Sequence, residues 1–79
     1  MKLTKKQDIV LRFMHQFYLD QDTLPPMQTM ADVFEWASAN TAYCMLQCLV
    51  KRGAVERNII GKYRFTKPGK EYCAKRLTS

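Results

Sequence analysis

Between Gln28 and Gly53 the chain reads QTMADVFEWASANTAYCMLQCLVKRG, and two apolar stripes of helical period run through it. In the first part Met30, Ala31 and Phe34 share a face, which predicts a short helix over about 28–35. In the second part Ser38 is a suitable N-cap, and Ala42, Leu46, Leu49 and Val50 form the stripe. Lys51-Arg52 suits the negative end of a helix, and Gly53 can cap it. A helix over 38–52 would be roughly 21 Å long at ~1.5 Å per residue. Only Trp36 and Ala37 join the two helices, so the chain must turn sharply. The stretch of about 28–53 is a helix-turn-helix unit.

Upstream, Thr4 with Gln7 three residues on forms a capping box. Ile9, Val10, Phe13, Met14 and Phe17 then make one broad stripe, with Lys5, Lys6, Arg12, Gln16 and Asp20 on the other side. This predicts a helix over 4–20, ended by the stretch from Gln21 to Pro25-Pro26. Downstream, Val55 begins a short strand, and Lys62 to Thr66 alternates, with Tyr63 and Phe65 on one face. Asn58 and Gly61 lie between, so a hairpin over about 54–66 follows. Pro68-Gly69 opens a short last helix, about 67–77, with a weak stripe. The fold class is mainly α: a three-helix winged helix-turn-helix with a two-stranded β-hairpin wing and a short C-terminal helix, one domain over 1–79. The expected core is Ile9, Val10, Phe13, Phe17, Met30, Phe34, Ala42, Leu46, Leu49, Tyr63 and Phe65, with Trp36 as a plug in the turn.

Composition narrows the function. At 79 residues and 9.3 kDa there is room for one thin core. No apolar run reaches the ~18 residues a membrane span needs. The run Ile9 to Met14 is broken by Arg12 and has no cleavage site after it, so neither a membrane nor a secretory role is expected. Thirteen Lys+Arg against seven Asp+Glu give +6, a field that attracts phosphates, although small basic domains also occur with no nucleic-acid role. The three cysteines, Cys44, Cys48 and Cys73, are odd in number, which favours reduced thiols and a cytoplasmic location. Cys44 and Cys48 fall on one helix face, but they and the sole histidine, His15, lack zinc-site spacing. Small, partly buried thiols, with no metal and no cofactor, are expected. No glycine-rich phosphate loop or catalytic constellation appears, so no enzyme activity is expected.

The surface of the third helix carries the candidate site. Ser38, Asn40, Thr41, Tyr43 and Gln47 lie opposite the buried stripe. A recognition helix meets the major groove with its N-terminal residues, where Asn40 can pair with an adenine edge and Thr41 or Tyr43 can meet a thymine methyl or a phosphate. Lys51, Arg52, Arg57, Lys62 and Arg64 would form a phosphate-contacting rim. Both groups have plainer readings. Ser38 serves as a cap, Asn40 and Thr41 are solvated, and the hairpin cations guard a strand edge.

Several of these pieces share an order with a known family. Leu3-Thr4-Lys5-Lys6-Gln7, Leu24-Pro25-Pro26, Met30-Ala31, Ser38-Ala39-Asn40-Thr41-Ala42 and Lys51-Arg52-Gly53-Ala54-Val55-Glu56 resemble the N-terminal DNA-binding domain of the SOS repressor LexA, over about Leu3 to Thr66. The resemblance implies a sequence-specific, double-stranded DNA-binding transcriptional regulator, a small repressor that acts by occupying its site. There are departures. The chain is one residue shorter between Pro26 and Met30, Glu35 stands where the family has a turn glycine, and Tyr43-Cys44 replaces an acidic pair. The target is therefore expected to differ from the family's operator. The family's self-cleaving domain is missing from these residues, so induction by autoproteolysis is not expected. A homodimer contact is expected on the last helix through Tyr72, Cys73 and Leu77. The rival reading is a protein-binding winged helix, for example a phage or mobile-element protein that grips a host factor. It draws on the apolar character of Tyr43, Cys44 and Met45.

Overall fold

A computed structural model describes residues 2–78 of the chain, and the side chains of residues 2–74. The order of elements is α1 (Lys5–Gln21), α2 (Met27–Val33), α3 (Ala39–Lys51), β1 (Val55–Arg57), β2 (Tyr63–Phe65) and α4 (Lys67–Thr78). The two strands pair antiparallel, with Val55 opposite Phe65, Glu56 opposite Arg64 and Arg57 opposite Tyr63. This is a winged helix-turn-helix followed by a fourth helix.

Each boundary has a local cause. The Thr4 hydroxyl accepts from the Gln7 N–H at 3.1 Å, and the Gln7 side-chain Oε1 accepts from the Thr4 N–H at 3.0 Å. This reciprocal capping box starts α1. The second helix ends earlier than its pattern predicts, at Val33. There the Trp36 N–H donates to the Ala31 carbonyl at 2.8 Å and the Glu35 N–H to the Asp32 carbonyl at 3.4 Å. That is a Schellman ending, and it forces Glu35 into the left-handed region at φ 56°. The third helix ends in the same way. Ala54 donates to Leu49 and Gly53 to Val50, both at 3.0 Å, with Gly53 at φ 83°. Ser38 occupies the N-cap position of α3, but its side chain makes no capping bond.

The core forms where α1, α2, α3, the hairpin and α4 meet. Val10, Leu11, Met14, Met30, Ala42, Leu46, Leu49, Ala54, Val55, Phe65 and Cys73 are its buried members. Ile9 is not among them: at 47% exposure it lies on the outer flank of α1, and Leu11 is buried in the stripe instead. Phe13, Phe34, Trp36 and Tyr63 pack at its margin, partly buried, and Phe17 is also only partly buried. Phe34 stacks on Trp36 at 5.0 Å and meets Phe13 edge-on at 5.3 Å, so Trp36 does plug the turn.

The last helix is anchored to the hairpin and to α1. The Thr66 hydroxyl accepts from the Gly69 N–H at 3.0 Å and donates to the Gly53 carbonyl at 2.5 Å, with the Ala54 carbonyl 3.1 Å away. A Cβ at Gly69 would lie 2.0 Å from the Ala54 oxygen, so only glycine fits there. Further along, Cys73 is buried, and the Tyr72 hydroxyl donates to the carboxylate of Asp8 on α1. Cys73 therefore packs α4 against its own chain and offers no surface to a second copy. Tyr72 is only partly buried, and the side chain of Leu77, the third residue of the expected dimer contact, lies outside the described residues.

Candidate nucleic-acid interface

The first turn of α3 stands clear of the body. Ser38, Asn40 and Thr41 are exposed, and among the described residues none of their side chains makes a hydrogen bond within the chain. Tyr43, one turn on, is 42% exposed and meets the Tyr63 ring edge-on at 6.4 Å. Gln47 is different. It is half-buried, and its amide donates to the Tyr63 hydroxyl oxygen at 2.8 Å. One of its two amide hydrogens is therefore committed to the hairpin. Burial first, and the adjoining Tyr43 hydroxyl second, raise the Tyr63 pKa above its usual value, so the phenol stays protonated.

The five cations lie on two adjoining elements. Lys51 and Arg52 are exposed at the C-terminal end of α3, about 17 Å along the helix from Asn40. They line a shallow groove with Gln7 and Cys48. The other three lie on the hairpin. The Arg57 guanidinium donates to the Gly61 carbonyl at 3.3 Å and lies 5.4 Å from the Tyr63 ring centre. Arg64 forms an ion pair with Glu56 at 2.9 Å, directly across the ladder. Lys62 is exposed. Glu56 is a neighbour of the candidate site that the charge pattern alone did not reveal, because its pairing depends on the hairpin register.

The cysteines also depart from expectation. Cys44 and Cys48 are exposed rather than partly buried, and only Cys73 is buried. Burial, then the nearby Asp8 carboxylate, push the Cys73 thiol up to about 11. Among the described residues no group of three or more His, Cys, Asp or Glu side chains is placed to hold a metal ion. Nor is any helix among them long and apolar enough to cross a membrane.

A protruding helix N-terminus, a wing tied to it and a basic surface together define a winged helix-turn-helix of the DNA-binding kind. Comparison with known families makes the assignment specific. The LexA DNA binding domain family matches residues 1–64, and the chain belongs to that family. No curated protein matches the chain. It is accordingly a DNA-binding regulatory domain, with duplex DNA as its partner.

Proposed function

We propose that the chain is a sequence-specific transcriptional regulator that represses by occupying its site, with α3 in the major groove and the wing on the backbone. The observation that carries this reading is the unengaged first turn of α3, where Ser38, Asn40 and Thr41 project from a helix fixed to the core by Ala42, Leu46 and Leu49. Polar side chains held on a rigid element and left without partners in their own chain are what base-edge recognition requires. In this reading Asn40, Thr41 and Tyr43 meet bases, and Ser38 meets a base or the adjoining phosphate. Gln47 positions the wing while it faces the groove. Arg57, Lys62 and Arg64 meet phosphates on one side, and Lys51 and Arg52 do so on the other.

Binding to duplexes selected from a random library, measured across a salt series, tests the reading. A regulator of this kind enriches a defined sequence and loses affinity steeply as salt rises, through counterion release. Failure to enrich any sequence, or affinity indifferent to salt, would overturn it.

A further inference from the structure

The hairpin tip carries two isoleucines in the open. Ile59 is 103% exposed and Ile60 71%, more than any other large apolar side chain among the described residues. The turn beneath them is pinned from several sides. The Asn58 N–H donates to the Lys62 carbonyl at 2.8 Å, and the Gly61 N–H to the Asn58 carbonyl at 2.9 Å. The Asn58 side-chain oxygen accepts from the N–H groups of Ile60 and Lys62, both at 3.0 Å. Arg57 braces the far side through Gly61. The two side chains therefore project from a preformed knob, and neither folds back onto the core.

Charge decides what this knob fits. Arg57 and Lys62 flank it, and the single acidic residue of the hairpin, Glu56, is already paired with Arg64. An apolar point between cations matches a cleft with anionic walls and an apolar interior. The minor groove is such a cleft, with phosphate walls and stacked bases that apolar side chains can part. The Gln47–Tyr63 bond adds a geometric reason, because it holds the hairpin in fixed relation to α3. A helix in the major groove then places the tip at the neighbouring groove. We propose that Ile59 and Ile60 form an apolar wedge that enters the minor groove beside the site read by α3, parts one base step and bends the duplex. The inference rests on the DNA-binding reading above. It adds a source of sequence preference, since flexible steps such as TA or CA/TG open most readily.

The full chain is tested on the duplex it selects from a random library, with 2-aminopurine placed at successive positions and a fluorophore at each end. The parent should brighten 2-aminopurine at one step beside the α3 site and draw the duplex ends together, by a bend of roughly 20–90°. The double substitution Ile59→Ser with Ile60→Ser should abolish both signals and weaken binding by roughly tenfold or more. Its salt slope should stay that of the parent, since no cation is removed. Ile59→Leu with Ile60→Leu should keep both signals. The tip lies off the core, so all variants should melt with the parent. A serine variant that binds and bends the duplex like the parent would overturn the wedge and leave the regulator reading intact. A parent that binds no duplex would overturn both. Isoleucine-dependent binding to phosphatidylserine vesicles, with an unbent duplex, would assign the tip to a lipid surface and overturn the wedge.

Discussion

The amide of Gln47 on α3 donates a 2.8 Å hydrogen bond to the hydroxyl of Tyr63 on β2, and this bond couples α3 to the wing. Tyr63 receives a second contact from the edge-on ring of Tyr43 and a third from the Arg57 guanidinium. One side chain thus collects the helix, the strand and the tip brace. Gln47→Ala and Tyr63→Phe should each cost about 0.5–1.5 kcal/mol in chemical denaturation. The double variant should cost less than the two together, because the same bond is lost only once. Fully additive losses would mean that the bond contributes nothing to stability.

The two Schellman endings make an internal comparison. Gly53 and Glu35 occupy the same position, one residue past the helix cap, and both have positive φ, at 83° and 56°. Glycine takes this conformation freely, whereas a side chain with a Cβ resists it by roughly 1–2 kcal/mol. Glu35→Gly should therefore stabilise the fold by up to about 1 kcal/mol, after allowing for the freer unfolded chain. Gly53→Ala should destabilise by about 1 kcal/mol for the converse reason. Thermal melts of the two variants check the sign: equal shifts in one direction would refute the account.

Local signals explain what could be read from the sequence. The Thr4–Gln7 box, the Ala42–Leu46–Leu49 stripe and the Tyr63–Phe65 alternation are each written within a few residues, and the structure realises each of them. Ile9 was misplaced because the apolar stripe of α1 is wider than the face that its neighbours cover. Leu11, on the other flank, took the buried position. The end of α2 was overrun because Phe34 and Glu35 fit helical spacing, and only the bond from Trp36 to Ala31 marks the stop. Features set by two distant segments were not legible at all. The Glu56–Arg64 pair needs the strand register, and the inward Tyr72 needs α4 docked on Asp8. In the candidate site, sequence located the exposed turn of α3. It did not show that Gln47 is tied to the wing.

The corrected core predicts unequal costs along two helices. Leu46 and Leu49 are fully enclosed between α3 and its neighbours, so Leu46→Ala or Leu49→Ala should cost about 2–5 kcal/mol. In a domain this small that loss consumes much of the total stability. Ile9→Ala, on the exposed flank of α1, should change stability by only about 0.5 kcal/mol. Denaturant midpoints of the three variants give the comparison directly.

Cys73 should titrate and react unlike the other two thiols. Burial beside Asp8 raises its pKa from 9.0 to about 11, so folding favours the neutral thiol. The sign follows: its contribution to stability is fully present below pH 9 and is lost as pH rises through about 11. In a Cys44→Ser, Cys48→Ser variant the thiolate ultraviolet absorbance should rise with a midpoint near 11 while the protein is folded. In the parent at neutral pH a thiol reagent should modify exposed Cys44 and Cys48 first, and Cys73 only on unfolding. Simultaneous labelling of all three would contradict the packing of α4.

Contacts on DNA should separate by element. If Asn40 reads a base edge, Asn40→Ala should cost about 1–3 kcal/mol on the preferred duplex and relax choice at one position. The Lys62 side chain is exposed on the wing, so Lys62→Ala should weaken selected and random duplexes by similar factors. The salt slope should become shallower by about 0.9 if one phosphate contact is lost. Arg64 behaves differently because Glu56 holds it at 2.9 Å. Glu56→Gln should release that guanidinium and remove a negative charge from the wing, tightening binding to every duplex and steepening the slope. Arg64→Ala should then matter more in the Glu56→Gln background than in the parent, since there the cation meets a phosphate without sharing its charge with Glu56. Identical effects of Arg64→Ala in both backgrounds would show that the ion pair opens on binding and does not restrain the wing.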